Sequence, residues 1–220
     1  MRVADSYKVA YFAGVDVAFN NRVKKLMKVS YSKTLDIQYG IYQDGPYAGS
    51  LTINCKASYG IKDYIIDALA FPYKTAHGKV HGGFEKEIIH WLPIIMQTLA
   101  NFDKQYHWSE HGIILAGRSK GAAEAMLLIE HLAPVAPIHT CFACEPPKIC
   151  DSRYAEYLNG FAVPLFITCY KNDIVPGVPL WFEHPNRVIQ VGDRKLGLSI
   201  KDHTYSTTHE DIWYNLKEEI

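Results

Sequence analysis

The chain has 220 residues, of which 48% are hydrophobic and 21% are charged, and its 23 basic and 23 acidic residues leave no formal net charge. This composition is typical of a globular protein with a sizeable core, and the length fits one α/β domain over residues 1–220. A basic stripe for nucleic acid and a charged tail are both excluded, so the function is expected to reside in a pocket.

The first residues and the cysteines predict a cytoplasmic protein. Asp5 and Lys8 interrupt any apolar core of a secretion signal, and Asp16 lies in the next apolar stretch. No run approaches the about 20 apolar residues that a membrane-spanning helix needs. Five cysteines, an odd number, argue against a disulfide framework when no export signal is seen.

Two β-like runs precede two helical runs in the first half of the chain. Residues 34–43 largely alternate apolar and polar, and residues 50–55 form a second run after a Gly-Pro turn. This pattern predicts an N-terminal β-hairpin. Apolar residues at helical spacing then predict helices over 60–71 and from 83 to about 102, the second kinked or broken at Pro93.

Strands and helices alternate in the second half of the chain. The predicted strands are residues 113–116, 138–143, 165–170 and 187–191. The predicted helices are residues 119–131, 152–158 and 208–219. A hairpin followed by this alternation predicts an α/β sandwich with a mainly parallel central sheet, in which ligands bind beyond the carboxyl ends of the strands.

Residues 117–121 (Gly-Arg-Ser-Lys-Gly) lie between the apolar strand and the Ala/Leu-rich helix. The glycines two positions before and after Ser119 permit the tight turn of a nucleophile elbow, which presents a serine hydroxyl at the edge of the sheet. Ser119 is therefore the candidate nucleophile. The alternative is an ordinary glycine-rich turn whose serine caps the helix.

A serine hydroxyl needs a base and a group that orients the base, and hydrolases with such an elbow carry Ser, acid and His in that order. Asp173 closely follows the strand predicted at 165–170 and precedes a proline-rich loop, so we expect it to be the acid. A turn formed by Asn172 and Asp173 is the alternative. Asp151 is interpreted as the N-cap of the helix that follows it.

Two histidines after Asp173 are candidates for the base. Thr207 and Glu210 form the pattern of a capping box, which places His209 in the first turn of the last predicted helix. The helix dipole disfavours a protonated histidine there. His203 lies in the loop that enters this helix and is the preferred base, with His209 as the alternative. His184 precedes the last predicted strand and is less suitable.

An oxyanion intermediate needs at least two hydrogen-bond donors. The backbone N–H of Lys120, the residue after the nucleophile, is one expected donor, whereas the lysine side chain is expected to face solvent. Ser58 follows the strand that ends near Cys55 and is the second expected donor, through its amide or its hydroxyl.

A cluster of thiols could instead indicate zinc. His139, Cys141, Cys144 and Cys150 lie close together in the sequence, and thiolates at such spacing can share one metal ion. A second half of the site is not evident, and residues 138–143 fit a buried strand. Buried structural thiols are the favoured interpretation, so no metal is expected.

Four segments together resemble the class 3 lipase family, whose fungal members are α/β-hydrolases. These segments are residues 55–67, residues 80–84 (Val-His-Gly-Gly-Phe), residues 115–122 around the elbow, and residues 169–176 around Asp173. They are similar to the family's oxyanion stretch with its following Asp-Trp segment, its Val-His-x-Gly-Phe motif, its Gly-His-Ser-Leu-Gly-Gly elbow and its catalytic-aspartate segment. The resemblance implies an α/β-hydrolase fold with a central, mostly parallel sheet flanked by helices, and a reaction without a cofactor.

The chain departs from the family pattern at several positions. Arg118 stands where histidine is usual, Lys120 and Ala122 replace leucine and glycine, and residues 56–57 (Lys-Ala) replace Arg-Gly. We expect Arg118 and Lys120 to be tolerated replacements without a role for their side chains. The resemblance implies a structural role for His81.

The implied activity is that of a serine carboxyl-ester hydrolase, a lipase or esterase, acting on a small acyl ester or a lipid with transient contact to a lipid surface. The region that corresponds to a lipase lid, residues 71–80, is short and not strongly apolar, which favours soluble esters of short or medium chain. An acyltransferase or phospholipase with the same triad is an alternative. A catalytically silent binding protein is another, and a cysteine- or zinc-dependent hydrolase ranks last.

Overall fold

A computed structural model of the chain describes residues 27–31, 37–42, 47–55, 71–193 and 195–204. Its strands are β1 (Met27–Tyr31), β2 (Ile37–Tyr42), β3 (Leu51–Cys55), β4 (Pro72–Lys74), β5 (Lys79–His81), β6 (Ile113–Arg118), β7 (Ile138–Cys144), β8 (Leu165–Tyr170) and β9 (Val188–Val191). Its α-helices are α1 (Gly82–Tyr106), α2 (Lys120–Leu132), α3 (Ser152–Asn159) and α4 (Lys201–Thr204). Single 3₁₀ turns lie at Trp108–Glu110 and Val175–Gly177.

A seven-stranded sheet in the order β1-β2-β3-β6-β7-β8-β9 forms the centre of the described structure. β1, β2 and β3 pair antiparallel, whereas each pair from β3 to β9 is parallel. The helices α1, α2 and α3 lie in the connections that such parallel pairs require. The predicted hairpin and the mostly parallel sheet of an α/β fold are both confirmed.

The core is built where the central strands meet α2. Every residue of β3 is buried, and so are the first five residues of β6. Residues 121–129 of α2 are also buried all round, because this helix packs against β3, β6, β7 and α1. The turn between β6 and α2 is therefore anchored in the core of the described structure.

The long helix α1 continues through Pro93, where a kink or a break was predicted. Pro93 removes one hydrogen bond, the one that the carbonyl of Ile89 would accept. Both residues lie on the exposed face of the helix, where water can serve that carbonyl. The helix also runs four residues beyond the predicted end, to Tyr106.

Two structural features, the β4–β5 hairpin and strand β1, were not predicted from the sequence. β4 and β5 form a small antiparallel hairpin in the region expected to correspond to a lid, and strands of three residues are too short to show a period. The predicted helices over 60–71 and 208–219 fall on residues that, except for Phe71, lie outside the described part. Within the part that is described, none of the helices combines the length and the apolar character needed to cross a bilayer.

Candidate active site

Ser119 occupies a sharp turn between β6 and α2. Its backbone has φ 54° and ψ −123°, a region that side chains seldom adopt, and its hydroxyl makes no capping bond to the helix. The backbone N–H of Ser119 donates to the carbonyl of Cys144 at 2.8 Å, which ties the turn to β7. Gly117 is required because a Cβ atom there would lie 2.2 Å from the carbonyl oxygen of Gly121. This is the geometry of a nucleophile elbow, and the alternative of a simple helix cap is wrong.

Three buried side chains form a continuous hydrogen-bonded path. Oγ of Ser119 lies 2.8 Å from Nε2 of His203, and Nδ1 of His203 lies 2.7 Å from Oδ2 of Asp173. Ser119, His203 and Asp173 are only 5%, 1% and 3% exposed. The structure thus brings together the predicted nucleophile, base and acid from three separate loops after strands. An imidazole between a hydroxyl and a carboxylate can take a proton from the hydroxyl while the carboxylate fixes its tautomer.

Two hydrogen bonds with neighbouring backbone groups hold Asp173 in place. It follows β8 by three residues, and its N–H donates to the carbonyl of Tyr170 at 2.9 Å. Its Oδ1 accepts the N–H of Val175 at 2.9 Å, which leaves Oδ2 to face His203. The sequence offered a turn formed by Asn172 and Asp173 as an alternative to a catalytic role for Asp173. The turn is present, and it orients the carboxylate of Asp173 toward His203.

Asn172 fastens the loop that carries His203. Its side-chain amide donates to the carbonyls of Lys195 and Gly197, and its Oδ1 accepts the N–H of Lys195 at 2.7 Å. The N–H of Asn172 donates to the carboxylate of Asp202 at 3.1 Å. His203 itself lies in the one-turn helix α4, where a loop was predicted. One buried asparagine therefore connects the loop of the acid to the loop of the base.

The sequence suggested that Arg118 is a tolerated replacement whose side chain has no role. The structure shows that this expectation is wrong. Its guanidinium donates to Oε2 of Glu145 at 2.9 and 3.0 Å and also to the backbone carbonyl of His203. Oε2 of Glu145 lies 3.9 Å from Nδ1 of His203. Burial raises the pKa of Glu145, although the positive charge of Arg118 acts to lower it. No pattern in the sequence pointed to Glu145.

The side chain of Lys120 does not face solvent, contrary to expectation. It forms ion pairs with Glu87 on α1 and with Glu124 one turn along α2. Burial opposes the charge of Lys120, but the two carboxylates outweigh this effect and raise its pKa. The backbone N–H of Lys120 is the first of α2, where N–H groups lack acceptors within the helix.

Two of the predicted site residues lie outside the described part of the chain. These are Ser58, the second expected oxyanion donor, and His209, the alternative base. Both stay predictions. The described part therefore contains one of the two expected donors, the N–H of Lys120.

The other candidates from the sequence have structural environments. Asp151 caps α3 by accepting the N–H of Tyr154 at 3.0 Å, as predicted. His184 bonds through Nε2 to the carbonyl of Pro176 at 2.8 Å, and burial lowers its pKa to about 4. His81 is buried, with its ring stacked 3.9 Å from the ring of Phe84.

The cysteines are separate buried thiols in the structure. All five are free, and burial raises the pKa of Cys55, Cys141 and Cys150. Among the described residues, one group of potential metal ligands lies close together, and it is Glu145, Asp173 and His203. Nδ1 of His203 is already bonded to Asp173, and Glu145 is paired with Arg118. The chemistry of this group is therefore that of an oriented base.

Comparisons with known proteins agree with this architecture. The family model described as Lipase (class 3) matches residues 52–183. Lipases of Rhizopus niveus and Rhizopus oryzae are each 29% identical over 126 residues, and the match covers 51% of this chain but only 31% of each relative.

Solved structures of fungal lipases share the fold. The Rhizomucor miehei lipase in its propeptide complex superposes with a TM-score of 0.72 at 17% identity, covering 92% of this chain and 80% of that one. Lipase II of Rhizopus niveus gives 0.70 at 17% identity, covering 92% and 94%. The lipase of Rhizopus microsporus var. chinensis gives 0.67 at 19% identity, covering 93% and 88%.

Proposed function

Because the chain belongs to the class 3 lipase family, we propose that it is a serine carboxyl-ester hydrolase that cleaves acyl esters through an acyl-enzyme. The observation that carries the proposal is the path from Oγ of Ser119 through His203 to Asp173, with contacts of 2.8 and 2.7 Å. These distances lie within the reach that proton transfer between a nucleophile and its base requires.

The acylation step uses the three side chains in distinct roles. Oγ of Ser119 attacks the ester carbonyl while Nε2 of His203 takes the hydroxyl proton. Asp173 keeps the other nitrogen protonated and stabilises the imidazolium that forms. His203 then gives the proton to the alcohol that leaves, so the acid part of the substrate remains bound to Ser119.

The second step releases the acid. A water molecule takes the position of the departed alcohol, and His203 removes its proton as it attacks the acyl-enzyme. The bond between the acyl carbon and Oγ then breaks, and His203 returns the proton to Oγ of Ser119 as the acid leaves. In both steps a negative charge develops on the carbonyl oxygen. We propose that the N–H of Lys120 and a donor from Ser58 hold this charge, and loss of one such donor costs about 3 kcal/mol in other enzymes.

Exposed apolar side chains lie in loops that, like the turn of Ser119, follow the carboxyl ends of the parallel strands, and next to the β4–β5 hairpin. They come from the loops after β8 and β9 and from the residue before β4, and they are Leu180, Trp181, Leu196, Leu198 and Phe71. Phe71 and Trp181 line one cavity of about 400 Å³. We propose that this rim takes up the acyl chain and makes transient contact with a lipid surface.

The experiment that tests the proposal is turnover of p-nitrophenyl esters of increasing acyl length, by the wild-type chain and by Ser119→Ala. We expect hydrolysis by the wild type and a loss of about 10³-fold or more in Ser119→Ala, with thermal unfolding unchanged. Turnover with and without lipid vesicles then separates soluble esters from esters at a surface. A wild-type protein without esterase activity would instead support a silent binding protein.

A further inference from the structure

Arg118 and Glu145 form a buried ion pair next to the proposed active site. Arg118 is the last residue of β6 and pairs in register with Cys144, the last residue of β7, so Glu145 follows directly after that strand. The side chains are only 11% and 2% exposed. Burying two charges is costly, and removing one partner leaves the other charge buried without compensation. The pair is therefore a candidate for a role in the site.

The guanidinium of Arg118 connects two distant parts of the chain. Its Nε and Nη2 atoms donate to Oε2 of Glu145 at 3.0 and 2.9 Å. Nη2 also donates to the backbone carbonyl of His203, 85 residues further along the chain. A planar fork of five N–H groups can serve a carboxylate and a carbonyl at once, which a lysine ammonium does less well.

His203 needs such support because its own element is short. α4 has four residues, and a single helical turn is not stable by itself. On one side α4 itself is fastened, because the carboxylate of Asp202 accepts the N–H of Asn172 at 3.1 Å. On the other side, Arg118 holds the carbonyl of His203 itself.

We propose that Arg118 is a positioning residue that fixes the main chain of His203 so that Nε2 reaches Oγ of Ser119, and that Glu145 holds the guanidinium in that orientation. The proposal rests on the proposed esterase function, since His203 acts there as the base. Glu145 does not replace Asp173, because its nearer oxygen lies 3.9 Å from Nδ1, beyond hydrogen-bond distance.

A merely structural ion pair and a positioning pair make different predictions for a double variant. Arg118→Met alone leaves Glu145 buried and charged, so it lowers both thermal stability and kcat. Adding Glu145→Gln removes that charge and should restore most of the melting temperature. We expect kcat to stay reduced by about 10- to 100-fold with KM nearly unchanged, because the contact to His203 is still missing and a small misplacement of a base is costly.

The matched control is Arg153→Met on α3. Arg153 also donates from its guanidinium to a backbone carbonyl, that of Ala76, at 3.2 Å. Because this exposed contact joins α3 to the turn between β4 and β5 and involves no residue of the proposed site, we expect kcat to equal that of the wild type. If the double variant regains both stability and wild-type kcat, the positioning role is overturned.

A second measurement is independent of turnover. The proton on Nδ1 of His203, bonded to Asp173, should give a downfield NMR signal in the wild type, and this signal should broaden or vanish in the double variant. If the wild type hydrolyses no ester, the proposed function fails, and the NMR signal alone decides the positioning role. A sharp, unchanged signal in the double variant would overturn that role whatever the activity.

Discussion

The Nε2 atom of His203 lies 2.8 Å from Oγ of Ser119, although 84 residues separate them. Ser119 is fixed by the strained turn between β6 and α2, at the carboxyl end of a central strand of the sheet. His203 reaches it from the loop after β9, which is fastened by Asn172 and by Arg118. The proposed reaction therefore depends on how well one loop is held against a rigid strand end.

Replacing Asp173 with asparagine should remove most activity without unfolding the protein. The amide has nearly the same shape, but it no longer favours the tautomer of His203 that can accept the proton of Ser119. We expect kcat to fall by about 10⁴-fold, the loss seen for the same change in another serine hydrolase. Steady-state kinetics with a melting curve test this. A loss below about tenfold would mean that Glu145 or water can replace the acid.

Asn172→Asp tests whether the loop of His203 must be fastened. An aspartate can still accept the N–H of Lys195, but it cannot donate to the carbonyls of Lys195 and Gly197. We expect a fall of about 10- to 100-fold in kcat and faster cleavage by trypsin after Lys195. The matched control is Asn159→Asp, whose amide donates to the carbonyl of Pro185. Equal kinetics for the two variants would contradict the role of Asn172.

Gly117→Ala should distort the elbow. A Cβ atom at this position would lie 2.2 Å from the backbone carbonyl oxygen of Gly121, so the turn between β6 and α2 would have to open. We expect a loss of about 1–3 kcal/mol in the free energy of unfolding, as for other overpacked sites, together with a loss of activity. Gly177→Ala is the control, since its Cβ would meet no atom within 4 Å. Denaturant unfolding of both variants measures the difference.

Glu85 should make stability depend on pH. Burial, with a contribution from the charge of Glu130, raises the pKa of Glu85 to about 7 from its ordinary 4.5. The folded state thus holds a proton that the unfolded state has lost, so stability falls as the pH rises from 4.5 to about 7. Near Glu85, His131 lies 3.8 Å away, and burial lowers the pKa of that histidine.

Glu85→Gln removes this titration. We expect the variant to melt at a higher temperature than the wild type at pH 8 and to gain little at pH 5, where Glu85 is protonated anyway. Melting curves at the two pH values are the measurement. An equal gain in melting temperature at pH 5 and at pH 8 would show that Glu85 is not the group that titrates.

Much of the site could be predicted because its signals are local. The elbow is a strand, a Gly-x-Ser-x-Gly turn and a helix in immediate succession, and Asp173 follows a strand that has a clear apolar pattern. The Arg118–Glu145 pair could not be predicted in this way, because 27 residues separate its members and neither position carries a periodic signal. The role of Asn172 could not be predicted either, because its side chain bonds to Lys195 and Gly197, which are more than 20 residues away in the chain.

Other expectations reach beyond the described residues. The N–H of Lys120 lies at the start of α2, but Ser58 and His209 fall outside that part, so their roles stay predictions. The cytoplasmic location also stays a prediction. At Pro93 the predicted break is absent, because the carbonyl of Ile89, which loses its hydrogen bond, belongs to an exposed residue of the helix that water can reach.

The most direct test of the account is the reaction of the protein with a fluorophosphonate, followed by peptide mass spectrometry of the wild type and of His203→Ala. If Ser119 is a nucleophile activated by His203, the wild type should carry one phosphonyl group, located on Ser119. The His203→Ala variant should react at least about 10³-fold more slowly. A wild-type protein that stays unlabelled, or that is labelled at another residue, would contradict the central claim.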